Sequence, residues 1–257
     1  MLTGGKLIDS GSYGCIFTPP LECKNKKKQE FIERVEDLPI SKISLKEDAE
    51  QEYSISKIIR QIPLWKNYFV VSESICEPAL VQKDKEFSDC ALVKGWQISE
   101  FRILAMAYGG EQISRHRFNL KTFDFMGFII HFIECGALLN LFGVVNRDIH
   151  GGNILVDKND VPRIIDFNLA VTAYGNITSN QLRHKHDINL GQEPPDSTLV
   201  NAISFGYNPQ IVINSIVNRK PIIRKIRSLL QVPSSEMTES LEAFYNKSKA
   251  VKSGNDA

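Results

Sequence analysis

The sequence predicts an α+β fold, with strands and one helix over the first hundred residues and a mainly helical remainder from about residue 119. Three observations carry this. Short apolar runs broken by glycine and proline fill the first hundred residues, the pattern of strands and turns. One stretch there, 46–61, switches to a three-to-four-residue apolar period, which marks a helix among the strands. Beyond residue 119 the apolar runs lengthen and take helical spacing. A chain of 257 residues is large enough for one sizeable domain or for two small lobes around a cleft.

Taken in order, Lys6-Leu7-Ile8-Asp9 and Cys15-Ile16-Phe17 read as short strands around the turn Gly11-Ser12-Tyr13-Gly14, and Pro19-Pro20 stops the second. Residues 38–45 alternate as a third strand. In 46–61, Tyr53, Ile55, Ile58 and Ile59 share a helical face, and Pro63 ends the run. Residues 68–71 and 101–106 read as further strands, while 73–95 has no clear pattern. The stretch 125–145 is 21 residues long and mostly apolar, near the length of a membrane span. His131, Glu134 and Asn140 are costly in a bilayer centre, so a helix buried in a globular core is expected instead. Two strand-like runs, 154–156 and 163–165, flank the turn Asp157-Lys158-Asn159-Asp160 as a hairpin. No shape is assigned to 172–189. Residues 214–230 read as a helix interrupted or restarted at Pro221, and 234–249 as another, capped by Ser234 or Ser235.

Composition narrows the function. Lys and Arg number 31 against 30 Asp and Glu, so no global charge points to nucleic acid or to an acidic membrane. The cluster Lys24-Asn25-Lys26-Lys27-Lys28 is offset by Glu30, Glu33, Glu36 and Asp37. Five scattered cysteines (Cys15, Cys23, Cys76, Cys90, Cys135) form no C-x-x-C pair. An odd, scattered set argues for a reducing compartment and against a disulfide framework or structural zinc. The N-terminus lacks the apolar stretch of a signal peptide. A cytoplasmic chain without a membrane span is therefore expected, its oligomeric state left open.

The most informative string is Asn146-Arg147-Asp148-Ile149-His150-Gly151-Gly152-Asn153, followed after the hairpin by Ile165-Asp166-Phe167-Asn168. Asn153 lies five residues after Asp148, and Asp166 thirteen after Asn153. A hairpin between them returns Asn153 and Asp166 to one end, where they could share a metal. This string resembles the catalytic loop and metal-binding segment of the protein kinase superfamily. The resemblance implies a two-lobed fold, with 1–108 as N-lobe and 109–257 as C-lobe, and chemistry on ATP with Mg²⁺. In that scheme Asp148 orients the attacking hydroxyl while Asn153 and Asp166 hold Mg²⁺. Arg147 would receive an activation-segment phosphate, with Thr172, Tyr174, Thr178 and Ser179 as candidates.

The resemblance extends to the N-terminal part. Gly11, Ser12, Tyr13 and Gly14 would cover the phosphates, although Asp9 stands where kinases have the first glycine of G-x-G-x-x-G. Ile16 would cover the adenine. Lys42 would reach the α- and β-phosphates, held by Glu52, with Glu47 and Glu50 as the other choices. Met106 would be the gatekeeper of a hinge running to Glu111, in which the backbone around Tyr108 meets the adenine and Glu111 the ribose.

Several residues depart from the pattern. Asn146 replaces the usual histidine, and Asn168 the glycine of D-F-G, where asparagine tolerates a left-handed backbone. His150 stands where serine/threonine kinases carry lysine, and D-x-H-x-x-N is similar to aminoglycoside- and choline-type kinases. Glu193-Pro194-Pro195-Asp196 occupies the A-P-E position, with Asp196 expected to pair with a later arginine. No D-x-W-[ST]-x-G follows, which implies a reduced or truncated C-lobe. In style, Gly11–Phe17 and Ile40–Ile43 resemble kinases of large DNA viruses. The expectation is a serine/threonine protein kinase acting on a protein substrate, the alternatives being a small-molecule kinase and a non-catalytic pseudokinase.

Overall fold

The structure, a computed structural model, describes residues 6–11, 13–25, 39–80, 82, 85–172, 198–199, 206–219 and 221–254. Contacts divide the chain into two compact units, Met1–Tyr174 and Gly175–Ala257. The expected lobe boundary at 108/109 therefore falls inside the first unit.

In the first unit, strand β1 (Lys6–Gly11) and strand β2 (Gly14–Thr18) form an antiparallel hairpin with Gly11 opposite Gly14. Gly14 is required by close approach. A Cβ there would lie 2.7 Å from the Ile43 carbonyl oxygen and 2.9 Å from Lys42 Cε, closer than atoms can pack. Strand β3 (Pro39–Leu45) is central, paired with β2 on one side and with β5 (Phe101–Ala107) on the other. Strand β4 (Ser74–Cys76) pairs with β5 at the edge, giving the order β1-β2-β3-β5-β4.

Period-two alternation divides this sheet between two cores. Phe101, Ile103 and Ala105 join Cys15, Phe17 and Ile43 on one face, covered by Phe87, Cys90, Leu92 and Val93. Leu104 and Met106 join Ile40 on the other, against Ala49 and Val70. Helix α1 (Lys46–Ile59) begins where β3 ends, and its first turn carries Glu47 and Asp48, which favour a helix N-terminus. Ala49, Glu52, Ile55, Ser56 and Ile59 form its buried face.

Residues 68–71 are not a strand, contrary to expectation. Phe69, Val70 and Val71 are buried and Tyr68 partly so, but Phe69 makes only an isolated parallel bridge to Ile164, with Val70 N donating to Ile164 O and Ile164 N to Tyr68 O. Apolar runs report burial, and here burial comes from a core loop.

The cysteines overturn a second expectation. Cys15 is bonded to Cys90 and Cys23 to Cys76, with Cα–Cα distances of 6.0 and 5.9 Å, and Cys135 is a buried free thiol. The odd count leaves one cysteine over. Sequence separations of 75 and 53 carry no local signal of pairing. One bridge fastens the end of β4 and the other the β4–β5 connection to the start of the unit, where Lys24 N donates to Glu77 O and Ala79 N to Glu22 O. The cysteine pattern therefore does not speak for a reducing compartment. We predict one titratable thiol in the denatured, unreduced chain and five after reduction. Burial pushes the Cys135 thiol pKa up to about 12, so in the native state it should resist alkylation at neutral pH. An Ellman titration of the three states checks this, and five thiols without reductant would refute the pairing.

The rest of the first unit carries helix α2 (Phe125–Leu141), opened by Asp124, whose carboxylate accepts from Gly127 N at 2.9 Å. The expected core helix is buried along one face only. Cys135 and Leu139 pack with Phe69, Ile164 and Phe167, while Met126, Ile130, Ile133 and Leu141 are exposed. Among the described residues, no helix is long and apolar enough to cross a membrane. Strand β6 (Glu111–Gln112) pairs with β8 (Ile154–Val156), which pairs with β9 (Pro162–Ile164). A short pair joins β7 (Val144–Val145) to β10 (Val171–Thr172).

The second unit contains helices α3 (Pro209–Arg219), α4 (Pro221–Leu230) and α5 (Ser234–Gly254). Pro221 restarts the helix at the one position where a missing N–H costs nothing. Leu199, Val212, Ile213, Ile216, Val217, Ile223 and Leu241 form its core. Together the sheets and helices make an α+β chain.

Candidate active site

Lys42 sits mid-strand in β3, buried beneath Gly14. A lysine so placed needs partners, since burying an unpaired ammonium is prohibitive. Its Nζ lies 2.9 Å from Glu52 Oε2 and 3.2 Å from Asp166 Oδ1. Glu52 reaches it from the buried face of α1. Glu50 instead faces Arg102 at 3.6 Å, and Glu47 is exposed. Burial alone would lower the Lys42 pKa, but Glu52 and Asp166 outweigh it and hold it above the ordinary lysine value. The same burial pushes Glu52 upward, against the pull of Lys42. These directions oppose one another, and the 2.9 Å contact decides for the charged pair.

Asp166 follows the β8–β9 hairpin, whose ladder continues through Ile165 N donating to Asn153 O at 3.1 Å. The hairpin thus brings Asn153 and Asp166 to one end. Asn153 Nδ2 donates to Asp148 Oδ2 at 2.9 Å and to Asp148 O at 3.0 Å. Asn146 joins the two acidic segments. Its Oδ1 accepts from Asp148 N at 2.8 Å and its Nδ2 donates to Asp166 O at 3.5 Å. The sequence treated Asn146 only as a replacement; its short amide, able to donate and accept at once, was the available signal.

The left-handed residue of this turn is Asp166, at φ 56°, and not Asn168 as expected. Aspartate tolerates that region better than most residues, and its Oδ1 accepts from Asn168 N at 3.3 Å. Asn168 is buried. His150 shapes the loop, its Nδ1 accepting from Gly152 N at 3.0 Å, and its Nε2 lies 3.7 Å from Asp148 Oδ1. Arg147 is partly buried beside it.

Ile16 and Met106 meet in one apolar cluster with Ile40, Leu104, Leu155 and Ile165. The sequence missed Ile40 and Leu155, although Ile40 stands two residues from Lys42 in β3, which in a strand means the same face. Other candidates stand apart from the buried group. Gly11 and Tyr13 are exposed, although the Tyr13 carbonyl accepts from Ser44 Oγ at 2.6 Å. Tyr108 is half-exposed, and Glu111 lies exposed on β6 opposite Val156. Gly110, at φ 120°, presses so closely on β8 that a Cβ would meet the Val156 carbonyl oxygen. Asp9 is engaged by Ser10 N at 3.0 Å and by Gln112 Nε2 at 3.4 Å. Ser12, Tyr174, Thr178, Ser179 and Glu193–Asp196 lie outside the described residues, and Thr172 ends β10.

The turn of the hairpin is fixed by Asp157, whose Oδ1 accepts from Asn159 N at 2.8 Å and Val161 N at 3.0 Å, while Oδ2 lies 3.0 Å from Arg163. Burial alone would raise its pKa, but the two backbone donors and the guanidinium outweigh it and lower it. A depressed aspartate pKa contributes stability above the unfolded value and loses it as pH falls through the folded one. Asp157→Asn should therefore flatten the fall in stability below the ordinary aspartate range. Urea midpoints across acid pH measure this, and an unchanged slope would count against it.

Among the described residues, no three His, Cys, Asp or Glu side chains gather as a metal cluster. A Mg²⁺ bound by one carboxylate, one amide, phosphates and water does not need one. A scan of the chain against protein-family models and a search of curated proteins both find no match.

Proposed function

We propose that this chain is an ATP- and Mg²⁺-dependent phosphotransferase, a serine/threonine protein kinase that moves the γ-phosphate of ATP to a protein hydroxyl. The observation that supports this most is the buried Lys42 held between Glu52 and Asp166. A fixed ammonium there can take phosphate oxygens without rearrangement, and such preorganised charge is most of what phosphoryl transfer asks of a protein. On this reading the chain has an N-lobe over 1–108 and a C-lobe from 109.

The residues fit a magnesium ion. Both Asn153 amide hydrogens are directed at Asp148, which leaves the amide oxygen for a cation. Asp166 gives Oδ1 to Lys42 and has Oδ2 to offer. When bound, Mg²⁺ would offset the charge of the phosphates. Asp148, oriented by Asn146 and Asn153, would direct the acceptor hydroxyl. Ile16, Ile40, Met106 and Leu155 would supply the apolar walls for an adenine ring.

The test is transfer of labelled phosphate from ATP to generic protein substrates by the chain and its Asp148→Ala variant. Equal, background transfer would sink the reading. His150 beside Asp148 supports a second one, a small-molecule acceptor, which release of ADP with alcohols or amino sugars would reveal. Binding without transfer would raise the melting temperature in Mg·ATP and leave both assays silent, the signature of a pseudokinase.

A further inference from the structure

Charge is balanced over the whole chain, but one stretch of it is not. From Ser197 to Ser235 the sequence has no Asp or Glu, and five basic residues, Arg219, Lys220, Arg224, Lys225 and Arg227, stand within nine positions. Helix α4 carries the last three of them. Its apolar positions 222, 223, 226, 229 and 230 fall on one arc of the helical period and its basic positions on the other.

A helix of this kind ordinarily turns its apolar arc into a core, and α4 does so only in part. Ile223 is buried in the core of the second unit. Arg227 ties the helix down, its guanidinium donating to Val217 O at 3.2 Å, to Val232 O at 3.4 Å and to Ser234 Oγ. Leu229 and Leu230, at the other end of the arc, are each 69% exposed. Arg224 and Lys225 are exposed as well and, among the described residues, make no ion pair.

Bare leucines beside solvent-facing cations are complementary to a surface that is anionic above and apolar beneath. The anchoring selects among partners. A protein groove that encloses a helix takes most of its circumference, which α4 does not offer while Ile223 and Arg227 hold it in the second unit. One open side suits a flat partner. A nucleic acid would use the charges and leave the leucines in water. We propose that α4 docks the chain on an anionic phospholipid surface, with Leu229 and Leu230 entering the acyl boundary and Arg224 and Lys225 meeting the lipid phosphates. The helix lies along that surface and does not cross it, since ten residues reach about 15 Å against a hydrocarbon core of about 30 Å. This inference does not rest on the phosphotransfer reading.

The test is cosedimentation of the full chain with sucrose-loaded vesicles of phosphatidylcholine, alone or with about one-third phosphatidylserine. Binding to the phosphatidylserine vesicles is expected to be at least about tenfold stronger. Arg224→Glu with Lys225→Glu should weaken it by about tenfold or more, since each basic group at such a surface contributes about fivefold. Leu229→Ser with Leu230→Ser should weaken it by about tenfold as well. Arg115→Glu with Arg117→Glu makes the same change of net charge at exposed positions of the first unit and should alter binding by less than about twofold. All these sites are exposed, and urea midpoints near that of the wild type verify that each variant folds. Equal binding to both vesicle types, or an equal loss in the Arg115 and Arg117 control, would overturn the proposal. So would undiminished binding in the leucine variant, the behaviour of a surface that reads charge alone as it would on RNA, or undiminished binding in the Arg224 and Lys225 variant.

Discussion

Asp148→Ala is expected to lower phosphoryl transfer by about 10²–10⁴-fold, the usual contribution of a positioned acid–base group, while leaving Mg·ATP binding nearly unchanged. The separation of effects follows from the loop. Asn153 keeps the Asp148 backbone carbonyl as an acceptor at 3.0 Å, and Asn146 holds the backbone N–H rather than the carboxylate. Removing the side chain therefore leaves both amides anchored. Single-turnover transfer, measured beside a thermal shift in Mg·ATP, distinguishes the two quantities. A variant that loses nucleotide affinity in step with rate would mean that Asp148 supports the fold of the loop and not the acceptor.

Lys42→Met should carry the largest stability cost in the first unit, about 3–5 kcal/mol, because it leaves Glu52 buried without its cation. Glu52 is only 4% exposed, so water cannot take over. The second change is diagnostic. Lys42→Met with Glu52→Leu removes the buried pair and leaves Asp166, whose side chain is a quarter exposed, to water; it should regain most of the loss, since apolar replacements of a buried pair are often neutral or better. Urea denaturation of the wild type, the single variant and the double variant gives the three numbers. If the single variant loses under about 1 kcal/mol, Lys42 is solvated in solution and the buried pair is not the resting arrangement.

Much of the first unit was legible because its signals are local. The hairpin of β8 and β9 announces itself through two apolar runs and an Asp-Lys-Asn-Asp turn, and the strand of Lys42 and helix of Glu52 through a change of period. What escaped depends on contacts distant in sequence. Cys15 and Cys90 meet because β2 and the β4–β5 connection share one face of a sheet, which spacing alone does not encode. Phe69 and Val70 look like a strand because burial and strand-pairing select the same residues. The exposed side of α2, from Met126 to Leu141, is as apolar as its buried side, so periodicity could not tell them apart. The positive φ fell on Asp166 because its carboxylate turns back to Asn168 N, a choice between two tolerant residues that only geometry makes.

The two cystine links bear on how the protein should be prepared. Chain made in a glutathione-rich bacterial cytosol, or handled throughout in dithiothreitol, would carry four extra thiols and lose its covalent ties between Cys15 and Cys90 and between Cys23 and Cys76. Assays of such material would report on a different molecule, and production with an oxidative folding step is the suitable starting point.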